Sequence, residues 1–433
     1  MKTQPTTHLS RHFALCLQAW RLVRTQPVLA AVSVLGTAFA IAMIMVIVLT
    51  WQLKYSDVYP ETHRSRTLFV SALGLANRSY DYSSALFMRD CVEGLPGVET
   101  CTAYSFASDA LVTLPAGSGQ RLRVDAKQTD PEFWRVFPFR FVSGTGFSQA
   151  DFESGRPSAV LCESVARRLF GRTDVAGEYI VLNRSHMRVA GVVPDVSLTA
   201  RDAYAQLWWL YPYSERHTRR NYTAYLGDMT VAMLVSSRDS MQAVRAGVQR
   251  RVKLLNEGAM KDTPLWIGDQ PDDIRTHLNH VWANVGPDMT MFYAEHALLL
   301  LLVLLVPALN LSGLNHSRMQ QRCREMGVRK AFGATRLSLV LRMLRENMLL
   351  TLAGGLVGLA LSYLALYLLR GWLFFDYADT GSQGQYSLSL QALFSPTVFL
   401  LAFLFCFVIN VLSATVPALV ATRQPIAEAL NGK

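Results

Sequence analysis

The chain has 433 residues, 51% hydrophobic and 17% charged, with a net charge of +10. Continuous apolar runs near 20 residues exclude an ordinary soluble domain. The basic residues cluster beside those runs, a pattern of membrane orientation and not of a nucleic-acid surface.

Residues 1–27 carry Lys2, Arg11, Arg21 and Arg24 and no acid, while Leu9, Phe13, Cys16, Leu17 and Trp20 form an apolar helical stripe. This predicts a cytosolic amphipathic helix lying along the inner membrane face. Residues 28–51 are the first predicted span, with Trp51 and Tyr55 as interfacial aromatics. The basic flank puts the N-terminus in the cytosol and residue 52 onward outside.

Residues 52–290 have soluble composition. Alternating or short apolar stretches predict strands at 67–75, 100–106, 110–114, 121–126, 159–162, 179–182, 186–193 and 230–236. Helical patterns cover 83–93, 163–170 (ended by Gly171) and 240–256, and a further short helix starts at Asp130-Pro131, with Asp130 as its cap. Strands and helices mix without a strict βαβ repeat, so the domain is α+β. Its histidines, His63, His186, His217, His277 and His280, are scattered. His277 and His280 are at helical spacing, but no Cys or carboxylate pattern accompanies them, and no metal site is expected. Cys91 and Cys101 could pair in an oxidising compartment or remain buried thiols. No nucleophile, base and orienting group stand together, which argues against an enzyme.

Residues 291–314 form the second predicted span, with Glu295 and His296 in its first two turns. They read as interfacial groups, or as contacts to the first helix at the outer mouth of a dimer. Residues 315–345 are a cytosolic segment dense in Arg318, Arg322, Arg324, Arg329, Lys330, Arg336, Arg342 and Arg345, against Glu325 within it and Glu346 just after it. It reads as helix, break, helix, with Gly333 at the break and Thr335 as the next cap. Residues 346–369 form the third span. Gly354, Gly358 and Ser362 recur every four residues there, a small-residue seam for close helix contact. Residues 370–395 lie outside, 396–421 form the fourth span, and the tail 422–433 is cytosolic. The expected fold is four transmembrane α-helices with an α+β extracytoplasmic domain inserted between helices 1 and 2.

The order of residues 322–335, R-C-R-E-M-G-V-R-K-A-F-G-A-T, resembles the coupling segment of FtsX/MacB-type ABC transporter permeases. LPGVET at 95–100, FWRVFPFRFVSGTGF at 133–147, SAVLCESVARRLFG at 158–171, MRVAGVVPDV at 187–196 and the tail TVPALVATRQPIAEAL are similar to the same family. The resemblance implies an external domain in two parts: outer segments 52–128 and 225–290 around a nested subdomain at 129–224. It implies that Arg322, Arg324, Glu325, Gly327, Arg329, Lys330 and Gly333 dock on a cytosolic ABC ATPase. A second permease subunit completes the membrane part, as a homodimer or heterodimer, and a periplasmic adaptor or a peptide or lipoprotein substrate are further partners it suggests. The 433 residues contain no G-x-x-x-x-G-K-[ST] loop, so ATP and magnesium are expected in the partner, with no cofactor in this chain. The function so implied is ATP-driven conformational work outside the membrane, for export of a peptide, antibiotic or lipoprotein. A peptide-sensing signalling partner, or a regulator of cell-wall hydrolases, is the alternative on the same scaffold.

Overall fold

The computed structural model describes residues 27–76, 79–115, 121–212, 214, 222–280, 286–299, 301–302, 335–373, 397–405 and 407–408. The chain divides into two compact units, one of Met1–Trp51, Tyr293–Leu373 and Leu390–Lys433, the other of Gln52–Phe292 and Phe374–Ser389.

Helix α1, Pro27–Tyr55, begins on a proline, which suits a first helical position because its missing N–H has no partner there. Its 29 residues rise about 1.5 Å each, enough to exceed a hydrocarbon core of about 30 Å. Ala30–Tyr55 and Met348–Leu369 are long and apolar enough to cross a membrane. The expected second and fourth spans are helical where described, at 289–299, 301–302, 397–405 and 407–408. The amphipathic helix expected at 1–27 lies outside the described residues, apart from Pro27.

In the second unit, β1 (Thr67–Val70), β12 (Met229–Val235) and β4 (Val98–Ser105) form an antiparallel base sheet in the order β1-β12-β4. A small sheet joins β2 (Ala72–Leu75) to β3 (Tyr80–Tyr82) on one side and β13 (Leu265–Trp266) on the other. The sequence predicts 67–75 as one strand; the structure divides it at Ser71. The Ser71 N–H bonds Gln270 Oε1 at 2.9 Å instead of a neighbouring strand, so β1 and β2 enter different sheets.

The large sheet takes β5 (Ser108–Thr113), β6 (Leu122–Thr129), β7 (Ser143–Gly144), β8 (Ser158–Cys162), β9 (Tyr179–Leu182), β10 (Ser185–Val193) and β11 (Leu207–Leu210). Its order is β7-β10-β8-β11-β6-β5-β9, and β9 also pairs with β10, so six strands close into a barrel. The division expected at residue 129 cuts through this barrel. β5 and β6 pair with β9 and β11 and belong with the nested part, which therefore starts near residue 108.

Helix α2, Glu163–Phe170, ends where Gly171 takes φ 72°, a left-handed stop that a side chain would strain. Helix α3, Met241–Glu257, turns Val244, Val248 and Val252 inward at helical spacing. Between 83 and 93 the expected helix is an α-turn at Ala85–Phe87 running into a π-turn at Met88–Val92. Helix α4 is Ile274–His277, its Asp273 cap accepting from the Thr276 N–H. One continuous hydrophobic cluster, including Phe69, Leu86, Phe133, Trp208 and Val231, fills this unit. Within it Trp134 packs edge-on to Phe139, Phe141, Phe147 and Trp208, at centroid distances of 5.1 to 6.0 Å. The aromatic stretch 133–147 thus folds into a single nest. Cys91, Cys101 and Cys162 are free and buried; burial, first among the causes, pushes each thiol up to about 12.

Helix α5, Arg336–Leu373, runs 38 residues without a break. The sequence predicts a cytosolic segment ending at 345 and a span starting at 346. The structure joins them in one helix that starts immediately after Thr335.

Candidate functional site

The coupling residues expected from the sequence, Arg322, Arg324, Glu325, Gly327, Arg329, Lys330 and Gly333, lie outside the described residues. The small-residue seam is described. A Cβ added at Gly354 would lie 2.8 Å from Thr37 Cβ and 3.0 Å from the Val34 carbonyl oxygen. At Gly358 it would lie 2.6 Å from the Ala38 carbonyl oxygen and 3.0 Å from Ile41 Cβ. All four distances are tighter than ordinary contact, and all four are to α1 of the same chain. Ser362 is fully buried and turns its hydroxyl to the Leu359 carbonyl at 2.7 Å, which satisfies it within the helix. At Gly355, which the spacing does not single out, an added Cβ would lie 2.9 Å from the Phe403 ring. Glycine here allows close backbone approach, which supplies dispersion where lipid offers no hydrophobic drive. His296 lies edge-on to Trp51 of α1 with centroids 5.2 Å apart.

A second cluster lies in the α+β unit and carries no local signal in the sequence. Arg64 and Glu61 are each only 2% exposed and are paired at 2.7 Å. Arg64 Nη1 donates to the carbonyls of Lys54 at 3.1 Å and Ser56 at 2.9 Å, with a longer contact to Leu53 at 3.4 Å. These are among the carbonyls that an α-helix leaves unsatisfied at its end, where a cation is also favoured. Arg64 Nη2 donates to the Thr199 carbonyl, and Glu61 Oε1 accepts from the Ala203 N–H at 2.8 Å.

The loop between β10 and β11 that receives these bonds is held from other sides too. Buried Lys127 of β6 donates to the carbonyls of Arg201 and Asp202. Tyr104 of β4 donates to Asp202 Oδ1 at 2.8 Å, and His277 of α4 meets the same oxygen at 2.9 Å. Trp208 Nε1 donates to the Ala203 carbonyl at 3.2 Å. Burial alone would push the Asp202 carboxyl up, but His277, Arg201 and Lys127 outweigh it and hold it well below the usual carboxylate range. His280, the other histidine of the pair, meets Asp272 at 2.8 Å. Each of these histidines therefore faces a carboxylate of its own. Among the described residues no group of three or more His, Cys, Asp or Glu could hold a metal ion.

A second carboxylate, Asp130, is fully buried and accepts from Thr102 Oγ1, the Ala103 N–H at 3.1 Å, the Phe133 N–H at 3.1 Å and Tyr211 Oη at 3.1 Å. The sequence shows it as a helix cap; its bonds to β4 come from long-range folding.

Two helices long and apolar enough to cross a membrane, packed through glycine, stand on the same chain as an α+β unit. Residues 30–251, more than half of the chain, match the MacB-like periplasmic core domain family, and residues 297–426 match the FtsX-like permease C-terminal family. The chain belongs to the FtsX/MacB-type ABC transporter permeases, an inner-membrane family. It is 27% identical over 79% of its length to the macrolide export ATP-binding/permease protein MacB of Shewanella sp. (strain W3-18-1), covering 48% of that protein. The chain thus spans about half the length of this relative. It is 21% identical over 76% of its length to the uncharacterized ABC transporter permease YknZ of Bacillus subtilis (strain 168), covering 80% of that protein. The periplasmic region of MacB from Actinobacillus actinomycetemcomitans aligns with 50% of this chain and 94% of its own, at 14% identity and a TM-score of 0.35.

Proposed function

We propose that this chain is the permease subunit of an ABC transporter in which a separate cytosolic ATPase drives conformational work in the external domain. The observation that carries this reading is the unbroken helix α5. It starts one residue after the basic segment 322–335 and continues through the glycine seam against α1. A helix is stiff along its axis, so a displacement at Arg336 arrives at Gly354 and Gly358 without being absorbed by a loop. Arg322, Arg324, Glu325, Gly327, Arg329, Lys330 and Gly333 dock on the ATPase, which holds the ATP and magnesium. Both termini are cytosolic, residues 52–290 are outside, and a second permease completes the membrane part. The cargo class is a peptide, antibiotic or lipoprotein taken from the outer side.

The test is Glu325→Lys in the complex co-expressed with its ATPase. A solvated charge contributes little to the fold and more to partner choice. The variant is expected to insert normally and to lose copurified ATPase. Equal copurification and full ATPase activity would remove segment 315–345 as the docking site.

A further inference from the structure

We infer that Arg64 is a positioning residue that ties the last turn of α1 to the 199–203 loop of the barrel, so that a displacement of this helix end is delivered to the barrel. Its part in transport rests on the function proposed above; the tie itself does not.

The guanidinium is a planar fork of five donors, and here the fork is spread over three directions. One arm closes the helix end at Lys54 and Ser56, one reaches Thr199, and Nε holds Glu61, whose free oxygen takes the Ala203 N–H. A buried ion pair costs desolvation, and apolar residues of equal size often serve stability as well or better. What an apolar pair could not supply is direction: these bonds fix the helix end to a specific pair of backbone groups far away in sequence. The loop they reach is not a yielding surface turn. Lys127, Tyr104, His277 and Trp208 anchor Arg201–Ala203 to β6, β4, α4 and β11. A shift of the helix end must therefore break the Arg64–Glu61 bonds or carry the loop with it.

The experiment is hydrogen exchange on the full chain in lipid nanodiscs, read at residues 197–206, with β12 as the control for overall folding. A single alanine inserted between Trp51 and Gln52 displaces the helix end by about 1.5 Å and rotates it by about 100°. In the parent this insertion is expected to raise exchange at 197–206 by about tenfold or more, the scale of losing one charged hydrogen bond. In Arg64→Lys, exchange there starts raised, and the insertion adds nothing further. An insertion effect equal in both backgrounds, or none in the parent, overturns the tie. Should Arg64→Lys lose β12 protection, Glu61→Gln replaces it, with the same two readings. The parent bound to its ATPase is then compared with and without ATP. No nucleotide response at 197–206, with the insertion result standing, sinks the proposed function and leaves the tie intact.

Discussion

Phe69 and His277 lie face to face, with ring centroids 4.2 Å apart and planes 9° from parallel. The stack fixes the imidazole so that Nε2 points at Asp202, and it joins the base sheet to the loop that Arg64 also holds.

Asp202 serves two buried partners, Tyr104 and His277, so its removal leaves both uncompensated. Asp202→Ala should cost about 3–5 kcal/mol, seen as a fall of several degrees in the Tm of the external domain within the full chain. The carboxyl is held below its ordinary value, so its contribution is present above the unfolded value of 3.8 and is lost as pH falls through the lower, folded one. The difference in Tm between parent and variant should therefore be constant from pH 5 to 7 and shrink in stronger acid. A constant difference down to the lowest pH tolerated would count against the pairing.

Asp130 behaves in the opposite sense. Burial, and then the nearby Glu132, push its carboxyl up to about 7, against the pull of the Thr102, Ala103 and Tyr211 donors. A raised value means that the folded state holds the proton more tightly. The stability this adds is present below the unfolded value of 3.8 and is lost as pH rises toward 7. Asp130→Asn, which does not titrate, should flatten the decline in Tm between pH 4 and 7. Parallel profiles for parent and variant would remove Asp130 as its source.

Gly358→Leu places a branched side chain where even a Cβ meets the Ala38 carbonyl at 2.6 Å. Overpacking of this kind costs about 1–3 kcal/mol. Leucine favours the membrane, so the chain should insert and still bind its ATPase. Transport-linked stimulation of ATP hydrolysis should fall severalfold in the reconstituted complex. Val357→Leu, at a position 40% exposed on the same helix, is the control expected to behave like the parent. Equal stimulation in both variants would reduce the seam to a passive surface.

Local signals in the sequence carried far. Gly171 as a helix stop and the four-residue period of Gly354, Gly358 and Ser362 each depend on neighbours within a few positions, whereas the helix expected from Asp130 begins only at Phe133, with Glu132 at its cap position. What escaped depends on distance along the chain. Leu207–Leu210, Leu-Trp-Trp-Leu, is a central strand with no polar alternation, and four apolar residues do not declare a period. The partner of the glycine seam was open, because spacing says that something approaches but not what. Arg64 and Glu61 carry no motif and no spacing that singles them out. Nothing local marks that they are buried, since the groups that bury them lie at 199–203.

The barrel leaves and rejoins the base sheet through two strands that are themselves paired: Ser105, where β4 ends, stands opposite Met229, where β12 begins. Residues opposite one another across an antiparallel ladder are about 5 Å apart. A short turn could bridge them, and β4 and β12 would then be a simple hairpin. The barrel is in this respect a cassette plugged into a hairpin. The side chains that would have to be renegotiated are those that cross from the frame: Arg64 toward Thr199, Glu61 toward Ala203, Tyr104 and His277 toward Asp202, and Thr102 toward Asp130. A chain built this way can exchange the inserted barrel while keeping the base sheet that receives it.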